Sequence, residues 1–151
     1  MNEKSIPTRQ DWGEIEDNFG LNWSFQKFFG KSVKEMLPYF EEHPLSASEA
    51  LVYMPEVPFR YYMFCFKEVL LSEKCLSTGL NFEAPNLAST FLLLLESKLT
   101  ESPSSLVGVI DQLMPVAEFV ALNQERYNAD IDIYGSFPEL LTKIKQLASR
   151  L

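Results

Sequence analysis

Between residues 59 and 71 nearly every position is apolar or aromatic, including Phe59, Tyr61, Tyr62, Met63, Phe64, Phe66, Val69, Leu70 and Leu71. Pro58 suits the first position of a helix, and Gly79 stands beyond Cys75, so the spacing predicts a long helix from Pro58 to about Cys75. A helix apolar almost all round leaves no face for water, and other helices must surround it. A second segment, 86–99, carries Leu87, Ala88, Phe91, Leu92, Leu94, Leu95 and Leu99 on one wide face. Leu93 falls on its otherwise polar side, beside Ser89 and Glu96, where a neighbouring helix or a partner would cover it. These two helices are the expected centre of the core.

The remaining punctuation is helical as well. Thr8 is placed to cap a first short helix carrying Trp12 and Ile15, with Gly20 as its stop, and Asn22 to open a turn or two ended by Gly30. Ser32 with Glu35, Ser46 with Glu49 and Ser136 with Glu139 have capping-box spacing. Pro85 opens the helix to Leu99, and Ser102-Pro103 opens a long stretch to about Tyr127, interrupted at Pro115. The last helix places Phe137, Leu140, Leu141, Ile144, Leu147 and Leu151 on one face. The only strand candidate is 131–134, too short to found a sheet. The expectation is a single compact all-α domain over residues 1–151, with six or seven helices, a size that buries its own core.

The formal net charge is −8. That disfavours nucleic acid, which is bound by clustered Lys and Arg, and it disfavours anionic lipid. The first dozen residues hold no apolar run of the kind a secretion signal needs, and the longest purely apolar run, 91–95, is far short of a membrane span. Cys65 and Cys75, if on one helix, stand about 15 Å apart along its axis, too far to bridge. Reduced thiols in the cytoplasm are the economical reading.

Catalytic and ligand motifs fail on register. Gly30-Lys31-Ser32 resembles the end of a phosphate loop, but Phe25 stands where the loop's first glycine belongs. The 128–139 segment has a faint calcium-loop look through Asp130, Asp132 and Gly135. Either alignment puts a wrong residue at an obligatory position, Ile133 at the glycine or Leu141 at the bidentate glutamate. His43 is the only histidine, which removes the two-histidine zinc motif, and no nucleophile elbow accompanies it. No metal or cofactor is implied.

One charge pattern stands out. Residues 101–139 hold seven acids and one base, a net of −6. Within them Asp111, Glu118 and Glu125 recur every seven residues, so on one helix they would form a line about 21 Å long. Arg60, Lys67 and Lys74 repeat the spacing with opposite sign on the aromatic helix. Solvated faces account for most such runs. The functional reading is a docking surface made by the acidic line and the Asp130–Asp132–Tyr134 loop, with Leu93 or the 134–137 turn as apolar anchor. On this reading the chain is a non-enzymatic protein-binding module (an inhibitor, adaptor or immunity-type protein) for a basic partner. The alternative is a small-molecule-binding or enzymatic domain whose pocket lies beside helix 58–75, with Arg60, Tyr61 and Tyr62 as its polar groups.

Overall fold

The computed structural model describes residues 5–76 and 83–151. Seven helices of nine residues or more, three single α-turns and two 3-10 turns account for the described secondary structure, with no strand among the described residues. In chain order they are α1 (Arg9–Trp12), α2 (Phe19–Phe28), α3 (Val33–Glu42), α4 (Pro44–Val52), α5 (Glu56–Leu70), α6 (Glu73–Leu76) and α7 (Ala84–Glu101). A 3-10 turn (Pro103–Leu106) leads to α8 (Ile110–Leu122), and a second (Gln124–Tyr127) leads to α9 (Ile131–Tyr134) and α10 (Phe137–Ala148).

The centre is where the apolar runs put it. α5 packs against α1, α3, α4, α7 and α8, while α10 lays its apolar stripe across α7 and α8. Phe66 is fully buried between Phe40 of α3 (centroids 5.0 Å apart) and Phe91 of α7 (5.5 Å). These contacts run edge-on or tilted, the arrangements that aromatic quadrupoles favour.

Helix ends follow local chemistry, and several differ from expectation. Capping boxes close at Thr8–Asp11 and Ser32–Glu35. Asn18, not Asn22, caps α2, its Oδ1 accepting from Leu21 N at 3.0 Å. Gly20 therefore lies inside the first turn of α2 rather than ending α1, and a Cβ there would overlap the ring of Tyr53. Gly13, at φ 72°, is the residue that turns the chain out of α1. Pro44 starts α4 two residues before Ser46, so Ser46 and Glu49 make no box. The aromatic helix starts at Glu56 and ends at Leu70, with Cys75 in the separate α6. Gly79 lies outside the described residues. The single strand candidate is instead α9, capped by Asp130.

Tyrosines and two buried or half-buried cations brace helix ends. The Tyr61 hydroxyl accepts from Val33 N (3.1 Å), and the Tyr62 hydroxyl lies 2.7 Å from the Phe28 carbonyl and 2.6 Å from that of Lys31. The Tyr127 hydroxyl donates to the Leu70 carbonyl (2.7 Å) at the end of α5. The Lys98 amine, buried on α7, donates to the Val52 carbonyl at the end of α4 and lies 4.7 Å from the centre of the Phe59 ring, and burial lowers its pKa. Arg60 donates to the carbonyls of Ser104 (2.6 Å) and Ser105 (3.2 Å) and pairs with Glu56.

Burial raises the phenol pKa values of Tyr62 and Tyr127 above the ordinary 10.0. Above pH 10 the unfolded chain loses these protons while the folded chain keeps them. Their contribution is therefore intact below pH 10 and is lost as pH rises toward the folded values. In an alkaline titration read by phenolate absorbance, these two of the six tyrosines should ionise only together with loss of helical circular dichroism. Six phenols titrating smoothly in a folded chain would contradict the bracing role.

Candidate functional site

The acidic segment does not form one line. α8 ends at Leu122 and Glu125 sits in the separate 3-10 turn, so the seven-residue spacing is not carried along a single helix. Asp111 is exposed in the first turn of α8. Glu118 is paired with Lys145 of α10 at 2.9 Å, so a cation of this chain already answers its charge. The basic heptad breaks too: Arg60 and Lys67 share α5, whereas Lys74 belongs to α6 and pairs with Glu41 at 3.0 Å.

What the chain brings together is the run from Leu122 to Tyr134. Gln124 ties it up: its Nε2 donates to the carbonyls of Ala129 (2.9 Å) and Gly135 (2.8 Å), and its Oε1 accepts from Phe137 N (2.9 Å). Asn128 adopts the left-handed conformation (φ 57°) that turns the chain between the 3-10 turn and α9. Asp130 accepts from Asp132 N at 2.8 Å, and the Tyr134 hydroxyl lies 2.9 Å from Asn86 Oδ1 at the start of α7. The loop is thereby held at both ends by side chains rather than by packing alone.

Around this scaffold Glu125, Asp130 and Asp132 are exposed. So are Leu122 (74% exposed), Ile131 (59%) and Ile133 (74%). A depression of about 520 Å³ is lined by Gln124, Glu125, Asn128, Ala129, Asp130 and Ile131. Three aliphatic side chains are thus left exposed within twelve residues of chain, in a segment that also exposes three carboxylates and has only Arg126 of opposite sign.

The anchors expected from sequence fall elsewhere. Phe137 is fully buried and holds α10 to the core. Tyr134 is half-buried and committed to Asn86. Leu93 is exposed (49%), but it lies seven residues along α7 from Asn86, about 10 Å of helix axis. Its neighbour one turn on, Glu96, pairs with Lys143 of α10. Leu122, Ile131 and Ile133 escape a reading of the sequence because aliphatic residues beside a helix end read as core, and no local signal says that α10 leaves them uncovered.

The alternative pocket fares differently. The polar groups of Arg60, Tyr61 and Tyr62 that would serve a ligand beside α5 are taken up inside the fold, on the backbone partners named above. Both thiols are buried, and desolvation pushes Cys75 up to about 11 and Cys65 higher still, so neither is a thiolate nucleophile near neutrality. His43 stands at the junction of α3 and α4 with its ring 5.6 Å from that of Tyr39. Among the described residues, no three His, Cys, Asp or Glu side chains group as a metal site requires, and no helix is long and apolar enough to cross a membrane. No family model, curated protein or solved structure matches the chain.

Proposed function

We propose that the chain is a protein-binding module that docks a basic partner through the 122–134 segment, acting as an inhibitor, adaptor or immunity-type protein rather than as an enzyme. The observation that carries this reading is the exposure of Leu122, Ile131 and Ile133 among Glu125, Asp130 and Asp132 on a braced loop. Aliphatic anchors in such a patch supply affinity by leaving water, and the carboxylates steer a cationic partner and fix its orientation. A loop already tied by Gln124 loses little freedom on binding, which leaves more of the contact energy as affinity.

Two double variants separate these roles. One replaces Glu125 and Asp132 with lysine, and the other replaces Leu122 and Ile133 with serine. All four side chains are exposed, so both variants should melt close to the parent. Captures from native lysate with the parent and each variant, followed by kinetics with the purified recovered protein, provide the test. The parent should retain a basic protein that neither variant retains. The charge variant should slow association about tenfold or more and flatten its salt dependence. The serine variant should mainly speed dissociation. Equal recovery by all three proteins would overturn the reading.

A further inference from the structure

A second exposed site lies on the other side of the sequence, where α2 meets α4. Phe19 and Trp23 stand four residues apart on α2, and Glu49 and Tyr53 stand four apart at the end of α4. Side chains at that spacing share a helix face, so each helix presents one pair to the groove between them. Phe19, Gly20, Trp23, Glu49 and Tyr53 line a shallow, open groove of about 260 Å³. Phe19 is 91% exposed, the largest exposure of any large apolar side chain among the described residues. None of the three rings stacks on another aromatic ring among the described residues, in contrast to the interlocked rings of the core.

The composition of this groove selects its ligand. Three aromatic side chains line it, rings whose faces carry negative quadrupole, and the carboxylate of Glu49 adds a full charge with no ion pair among the described residues. The flanking chain is acidic too. Residues 10–26 contain Asp11, Glu14, Glu16 and Asp17 without a single Lys or Arg, and 44–59 contain Glu49 and Glu56, again without one. An anion is therefore disfavoured beside Glu49, and a bare apolar segment would leave the carboxylate unanswered. A cation with an apolar surface satisfies both. An N-methylated ammonium is weakly hydrated and has few or no N–H groups needing acceptors, which suits walls with one carboxylate and otherwise mostly ring carbon. The groove is open along its length, whereas sites for free small molecules enclose most of the ligand. An open groove suits a side chain held out by a larger partner.

We propose that the Phe19–Trp23–Tyr53–Glu49 groove binds the methylated ammonium of a lysine side chain on a basic polypeptide. The site is separate from the 122–134 patch, and the proposal stands or falls independently of that reading. Gly20 is part of the device. Without a Cβ it lets the Tyr53 ring lie directly against α2, and any other residue would push the ring away.

The test is a titration of the intact protein with the peptide acetyl-Arg-Gly-Lys-Gly-Arg-amide, its lysine trimethylated or unmodified, and with tetramethylammonium chloride. Trp23 fluorescence is the readout, since Trp12 is fully buried. The trimethylated peptide should give saturable quenching at least about tenfold tighter than the unmodified one, with tetramethylammonium competing weakly. Phe19→Ser and Glu49→Gln, both at exposed positions, should each weaken binding about fivefold or more with an unchanged melting temperature. Gly20→Ala should abolish the preference for methylation while keeping the helical spectrum. Equal binding of both peptides would reduce the groove to a patch of charge. Absence of saturable quenching, or indifference to Phe19→Ser, would overturn the proposal outright.

Discussion

Replacing Phe66 with alanine should destabilise the fold by about 3–5 kcal/mol, the range for truncating a fully buried phenylalanine. Three long helices meet on this ring, since it packs on Phe40 from α3 and Phe91 from α7 while belonging to α5. The loss combines transfer of the ring to water, two aromatic contacts and a cavity in the middle of the core, where α5 is enclosed by its neighbours and relaxes least. Domains of this kind are stable by about 5–15 kcal/mol, so the variant should sit close to its limit. Urea unfolding followed by circular dichroism should show the midpoint falling with little change in slope. A loss under about 1 kcal/mol would mean that α3 and α7 do not depend on α5 for their packing.

Arg60→Ala should cost about 2–3 kcal/mol, even though part of the side chain is exposed. Two interactions compete for the explanation. The Arg60–Glu56 pair is part-exposed, at 30% and 48%, and adds at most about 1 kcal/mol. The charged donation to the Ser104 and Ser105 carbonyls spans 44 and 45 residues and fastens α5 to the turn between α7 and α8. Its loss leaves the partly buried Ser105 carbonyl without this donor, which accounts for most of the cost. Glu56→Gln should therefore cost far less than Arg60→Ala. Arg60→Lys should fall between, because one ammonium replaces a planar fork. If Glu56→Gln and Arg60→Ala lose the same amount in denaturant melts, the contacts of Glu56, with Arg60 and with the Ser104 hydroxyl, supply most of the stabilisation and the carbonyl contacts supply little.

The sequence carried the architecture because its strongest signals were non-local in consequence. An α5 segment with only a narrow polar edge demands enclosure of the rest, and α3, α7 and α8 supply it. Local punctuation was legible where a single motif acted alone, as at Ser32–Glu35. It misled where two signals competed. Pro44 preempted Ser46, and Asn18 preempted Asn22, which left Gly20 to be judged by its contact with Tyr53 rather than by its φ. The β-branched pair Ile131 and Ile133 suggested a strand, but the Asp130 cap and the left-handed Asn128 impose a turn.

The proposed surfaces were only half legible, for a related reason. Charge is visible in a sequence, and Glu125, Asp130 and Asp132 are assigned to the proposed docking surface on that ground together with their exposure. Exposure is not visible, because it depends on which helices cover which. Leu122 and Leu113 are alike in type and share α8, yet one is exposed and the other fully buried. Glu118 was equally invisible as a paired residue until α10 placed Lys145 against it.

Gly20 also bears on how this protein would change under selection. In a helix, glycine is the weakest choice short of proline, and alanine at the same place gains up to about 1 kcal/mol in propensity. A laboratory search for thermal tolerance alone would therefore be drawn to position 20, since the half-exposed Tyr53 ring has open solvent into which it can swing. Wherever the propensity gain exceeds the cost of displacing Tyr53, such a variant would melt higher while its aromatic groove had been dismantled. On the proposed role of the groove, position 20 is thus a place where robustness and recognition pull in opposite directions.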